Sequence, residues 1–297
     1  MFKIFLRPAL VALGSGLLLA MPAQACSTCK CGDYTITLQG TEKPYAGRLR
    51  AAVTSLWREE SQGSGLGERR TEEWRSTLGA SYSLTDDLTL AAELPWVRNR
   101  VSDGNLASQT AEGIGDADLT AWWVLYRSGE TVTQHLAGLR LGARLPTSEQ
   151  VRANGRLVDI DAQPDAGAWA PTLGGWYRHY RFPWMLSVSG AYYAYQDGRQ
   201  GFAPGDAWVA TLLTQYAVSQ TWALRAGIDG RYAGRNQFSG VTDPNSGGSL
   251  AALQAGVAAR FFHELVLSAG IQVPVWDGLN GEQAEQESLR LALAYDF

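Results

Sequence analysis

Apolar residues fall on alternate positions through most of the chain. Over the last ten residues Leu289, Leu291, Leu293, Tyr295 and Phe297 share one face of an extended strand, and Arg290, Ala292, Ala294 and Asp296 share the other. A strand that is apolar on one side and small or polar on the other suits a membrane barrel, with lipid outside and a polar lumen inside. The pattern recurs in eleven earlier segments, whose apolar faces span 49–57, 74–82, 88–96, 119–125, 139–145, 169–177, 184–192, 208–216, 222–232, 253–261 and 265–273. It predicts an all-β protein: a transmembrane antiparallel up-and-down β-barrel of about twelve strands.

The connections alternate in length. Short turns are expected around 84–87, 127–133, 180–183, 218–221 and 262–264, and long polar loops around 59–71, 98–115, 146–167, 195–206, 233–248 and 274–287. Outer-membrane barrels produce this alternation, with short turns on the periplasmic side and long loops outside. An even strand count then puts both termini in the periplasm. Trp57, Trp74, Trp96, Trp169, Trp184, Trp208 and Trp222 stand near strand ends on the apolar face, where an interfacial aromatic girdle belongs.

Composition agrees: 33 Gly, 11 Trp and 12 Tyr in 297 residues suit strands and turns better than helices. The first 25 residues resemble a secretory signal, with Lys3 and Arg7 ahead of an apolar run and Ala23-Gln24-Ala25 as a cleavage site. That run is too short to span a bilayer as a helix, and no later segment offers the roughly 20 apolar residues one needs. The expected organisation is a signal peptide over 1–25, a periplasmic cysteine-containing segment over 26–46 and the barrel over 47–297. The expected location is the bacterial outer membrane.

The opposite parity should face the lumen. It carries Arg48, Arg50, Arg58, Arg75, Arg140, Arg144, Arg178, Arg225, Arg231, Arg260 and Arg290 against Glu73, Glu93, Asp118, Asp229 and Asp296. This leans positive inside a chain of net charge −4. Guanidinium forks pair with carboxylates and phosphates, so two readings stand side by side: internal packing, or a constriction that favours anions. The candidate lumen and selectivity residues are Arg48, Arg50, Arg140, Arg144, Arg225, Arg231, Glu93, Asp118 and Asp229. Histidine is scarce, and His135, His179 and His263 fall in turns or at strand ends rather than beside a nucleophile. No catalytic residue is expected.

All three cysteines sit in Cys26, Cys29 and Cys31. A disulfide with one thiol left over, a soft metal such as copper, and lipidation of Cys26 all fit that spacing. No cofactor is required by the pattern. The expected partners are membrane lipid, lipopolysaccharide, the barrel assembly machinery through the C-terminal strand, and a periplasmic metal or redox protein at the cysteine segment. Nucleic acid is not among them.

Three stretches carry a resemblance: Gly113-Ile114-Gly115-Asp116 leading into a strand, the strand ending in Pro146-Thr147-Ser148, and Ala162-Gln163-Pro164-Asp165-Ala166-Gly167. Together they resemble outer-membrane transporters of the phenol meta-pathway degradation type, over residues 47–297. Ser148 stands where that pattern has Gly, and 162–167 is a looser match. The resemblance implies a barrel and a transport role, without implying that phenols are the cargo. The expected function is passive diffusion of a small solute, anionic or aromatic, through an arginine-lined lumen restricted by the loop 146–167. The alternative is a barrel that anchors the cysteine segment for a metal or redox partner.

Overall fold

The computed structural model describes residues 44–104, 108–129, 133–262 and 264–297. The expected signal peptide, Cys26, Cys29, Cys31 and His263 lie outside the described residues.

Twelve long strands form one closed antiparallel sheet: β1 (Leu49–Gln62), β2 (Arg69–Ser83), β3 (Leu88–Asp103), β4 (Ala117–Gly129), β5 (Thr133–Leu145), β6 (Ala170–Arg181), β7 (Trp184–Tyr193), β8 (Ala207–Ala217), β9 (Trp222–Ala233), β10 (Gly248–Phe261), β11 (Leu265–Leu279) and β12 (Ser288–Asp296). Each pairs with its neighbours in sequence, and β12 closes onto β1 from Arg50↔Asp296 to Trp57↔Leu289. Closure leaves no unpaired edge, which the apolar bilayer core requires. Both ends of the barrel, near residues 49 and 296, lie at the end that carries the short turns.

The predicted parity holds on every strand. Leu78, Leu173, Leu212, Leu253 and Leu291 are exposed on the outer face, while their sequence neighbours Thr77, Thr172, Leu213 and Ala292 are buried within. An outer wall of exposed leucine is unfavourable in water and favourable in hydrocarbon, so this face meets lipid. Aromatic residues ring both ends of the outer face. Tyr192 and Trp208 stack at 4.7 Å near the long-loop end, and Trp184 and Tyr216 at 4.7 Å near the short-turn end.

The long loops are shorter than the sequence pattern implies. β1 and β2 stay paired out to Gln62↔Arg69, and β3 runs on to Asp103, where Ser108–Ile114 folds back against it. These extensions are polar on both faces, as in Arg58-Glu59-Glu60-Ser61. Beyond the bilayer the apolar alternation stops while backbone pairing continues, so hydropathy misses them. The expected turn 127–133 is likewise partly strand, after a register shift between Val124 and Tyr126.

Gly138 on β5 marks a tight point in the inner wall beside that shift. A Cβ there would run into the carbonyl oxygen of Trp123 and lie 2.8 Å from the Trp176 ring. Gly138→Ala is expected to lower stability by about 1–3 kcal/mol, read as a shifted urea midpoint in detergent or vesicles. Gly67→Ala, at a position with open space, should leave the midpoint in place.

Candidate functional site

The connection between β5 and β6, residues 146–169, turns back into the barrel and packs on the inner faces of β2 and β3. Its apolar side chains make that possible: Val158 and Ala162 pack with Val101 and Ala111, and Ile160, Ala166 and Ala168 pack with Phe202. Polar latches hold it as well. Asp116 accepts a hydrogen bond from the Ser148 backbone N–H at 3.0 Å and from Gly167 N–H at 2.9 Å, tying both ends of the loop to one carboxylate. Asp165 accepts from Arg75 at 3.1 Å and from the Asp116 backbone N–H at 3.2 Å. Asn99 donates to the Gln163 carbonyl at 2.6 Å. From the β7–β8 connection, Arg199 donates to the carbonyls of Ser148 and Pro146. Gly167 has a φ of +61°, a conformation open to glycine at little expense, and it turns the chain so that its N–H reaches Asp116. Burial, then the facing Asp165, push the Asp116 carboxyl above the usual carboxylate range, against the pull of the Ser148 N–H.

The three stretches that carried the family resemblance therefore meet at one place. Gly113–Asp116 supplies the acceptor, Pro146–Ser148 one donor and Ala162–Gly167 the other. Their spacing is explained by a latch.

The same side of the lumen is filled with side chains. Arg144 clasps Asp118 through contacts of 2.8 and 3.2 Å and donates to the Tyr195 hydroxyl at 2.9 Å. Arg140 donates to Tyr193 at 3.1 Å and lies 5.4 Å over the Trp122 ring. Arg178 lies 4.9 Å over Trp176. Arg58, Glu73 and Arg75 form a buried relay, with Arg75 to Glu73 at 2.7 Å and Arg58 to Glu73 at 3.0 Å. Glu93 is buried on the inner wall opposite Asp118 in register. Of the predicted lumen residues, Arg140, Arg144, Glu93 and Asp118 thus belong to this packed half. Sequence reasoning missed Trp122 and Trp176, which point inward. Parity would have placed Trp122 inside, because Trp123 beside it takes the outer face.

The opposite half, walled by β8–β12 and β1, is open. Three cavities follow one another along the barrel axis. The first, about 210 Å³ at the short-turn end, is bordered by Arg50, Gln215, Arg225, Arg260 and Ser268. Next comes one of about 70 Å³ at mid-height, bordered by Arg225, Asp229, Gln254, Ser268, Gln272 and Arg290. The third, about 80 Å³ toward the long loops, is bordered by Asp229, Arg231, Gln272, Glu285 and Arg290. Neighbouring cavities share wall residues: Arg225, Ser268 and Ala292 between the first two, and Asp229, Gln272 and Arg290 between the last two. They lie in series along one side of the lumen, an off-centre track of adjoining cavities.

Charge is distributed unevenly along it. Arg48 and Arg50 both bond Asp296, at 2.9 and 3.0 Å. Arg225 donates through Nε to Gln215 at 2.9 Å and forms no ion pair among the described residues. Farther along, Arg290 donates to Gln272 at 2.9 Å, Gln272 donates to Asp229, and Arg231 pairs with Glu285. Four of the predicted lumen residues, Arg50, Arg225, Arg231 and Asp229, line the track, while Arg48 reaches Asp296 beside it.

His135 and His179 face each other across β5 and β6 with rings 4.4 Å apart, and His135 Nδ1 bonds the Tyr177 hydroxyl at 2.7 Å. Among the described residues no three His, Cys, Asp or Glu side chains converge on a point where a metal would fit.

No protein-family model matches the chain, and no curated protein matches it. Solved structures do. An outer membrane channel from Pseudomonas putida F1 superposes with a TM-score of 0.69 at 20% identity, over 87% of this chain and 98% of that one. The translocator domain of the autotransporter NalP from Neisseria meningitidis superposes with a TM-score of 0.51 at 15% identity, over 87% and 91%. The chain is a bacterial outer-membrane β-barrel. That fold, with its lipid-facing belt and two aromatic girdles, locates it.

Proposed function

We propose that the protein is a passive outer-membrane channel for small anionic solutes. In this reading the long loops are extracellular, both termini are periplasmic and the inserted loop 146–169 sets how much of the lumen is free. The carrying observation is the run of three adjoining cavities between β8 and β1, on whose walls Arg50, Arg225, Arg231, Arg260 and Arg290 outnumber Asp229 and Glu285. A water-filled passage with excess guanidinium raises the local anion concentration and lowers that of cations. The similarity in fold to an outer membrane channel supports transport. So does the resemblance to transporters of the phenol meta-pathway type, whose three motifs build the latch of the inserted loop. The solute is left at the level of its charge.

The test is a reversal potential in a planar bilayer under a potassium chloride gradient. At about 0.1 M salt, where charges are screened over about 10 Å, the open protein should prefer chloride over potassium. Preference for potassium there sinks the reading, as does a barrel that passes no current.

A further inference from the structure

Arg225 differs from the ion-paired arginines of the lumen. Arg48 and Arg50 share Asp296, Arg144 clasps Asp118, Arg58 and Arg75 clasp Glu73, and Arg231 clasps Glu285. Arg225 has a neutral amide instead, the Gln215 oxygen on its Nε at 2.9 Å. Its two terminal nitrogens bond no protein group among the described residues, and the side chain borders both the cavity at the short-turn end and the one at mid-height. Ser268 and Ala292, a hydroxyl and a methyl, border the same two cavities and leave room. Arg225 therefore stands between the two cavities, held by one nitrogen and with the other two bonded to no protein group among the described residues.

That geometry matches an oxyanion. The end of a guanidinium fork offers two parallel N–H donors to two oxygens of one carboxylate or phosphate. Gln215 fixes the fork, so little rotamer freedom remains to be lost on binding. The surroundings add field of the same sign, since Arg50 and Arg260 border the same cavity as Arg225.

We propose that Arg225, anchored by Gln215 and sharing both cavities with Ser268, is a discrete binding station for a small oxyanion, a carboxylate or a phosphate group, between the two cavities. This rests on the channel reading and sharpens it. A general positive field speeds every anion through, whereas a station holds oxyanions long enough to hinder chloride.

The probes are inorganic phosphate and acetate, added to single channels carrying chloride current. In the wild-type protein each should reduce the current along a saturating curve, and the ratio of half-blocking concentrations tells which oxyanion fits better. Arg225→Gln keeps a polar side chain there and should still conduct, with the half-blocking concentration raised about tenfold or more. Arg98→Gln, an exposed change on the outer face of β3, should block like wild type. Wild-type current indifferent to both oxyanions, or an Arg225→Gln channel blocked at the wild-type concentration, overturns the station and leaves the channel standing. If the folded protein passes no current, calorimetric titration of phosphate into it in detergent decides. Heat of binding lost in Arg225→Gln supports the station while the channel reading falls, and absence of binding overturns both.

Discussion

Single channels of an Asp116→Ala variant are expected to pass severalfold more current than wild type, with frequent transitions between levels. The loop 146–169 occupies the half of the lumen facing β2 and β3, and among the described residues Asp116 is the one side chain bonded to both its ends, at Ser148 and Gly167. Hydrogen bonds to a charged acceptor contribute about 1.5–3 kcal/mol each, so removing the carboxylate takes about 3 kcal/mol or more from the closed position of the loop. Asp165 loses a neighbour too, since it accepts the Asp116 backbone N–H, yet its contact with Arg75 survives. Arg199 also still grips Pro146 and Ser148. The loop should therefore detach in part, which is why fluctuating levels are expected rather than one larger pore. Asp116→Asn keeps one acceptor oxygen and should fall between the two. A conductance equal to wild type in Asp116→Ala would show that the loop is held by its remaining contacts, Val158 and Ala162 against Val101 and Ala111 and the polar bonds of Arg75, Asn99 and Arg199, and that the carboxylate is incidental.

The barrel was legible because lipid imposes a rule on every strand. Leu289, Leu291 and Leu293 must face out, so Arg290, Ala292 and Ala294 must face in, and twelve such segments closed as expected. The rule ends where lipid ends. Over Arg58–Gln62 and Arg69–Glu73 both faces are polar, and the ladder between them carried no hydropathy signal.

The site was legible in its residue types and obscure in its arrangement. Parity put Arg140 and Arg225 alike on the inner wall. It could not say that Arg140 lies over Trp122 in the packed half while Arg225 borders open space. That difference comes from where the loop 146–169 lands, which depends on contacts between residues far apart in sequence, such as Asn99 with Gln163. The motif Gly113–Asp116 could be seen in the sequence. So could the stretches that hold Ser148 and Gly167, but not that one carboxylate joins them, because a turn motif records its own backbone and not the donors it will meet.

Adjacent residues on β10 should respond to the same substitution in opposite ways. Leu253 is half exposed on the outer face near the middle of the strand, and Gln254 borders the mid-height cavity. Leu253→Arg puts a charge against hydrocarbon and is expected to cost about 2–4 kcal/mol, measured by urea unfolding in lipid vesicles. Gln254→Arg places the same group in the lumen, where water and Asp229 on the same cavity wall can meet it. Its stability should stay within about 1 kcal/mol of wild type, because lumen substitutions chiefly tune selectivity. Its conductance should fall instead, since an arginine is larger than the glutamine it replaces in a cavity of only about 70 Å³. Because the two positions differ by one step along the same strand, any effect of β-propensity or of distance from the turns is shared between them. A difference in stability can then come only from the face. Equal losses in the two variants would mean that both side chains meet the same solvent, and the division of this wall into a lipid side and a lumen side would be wrong.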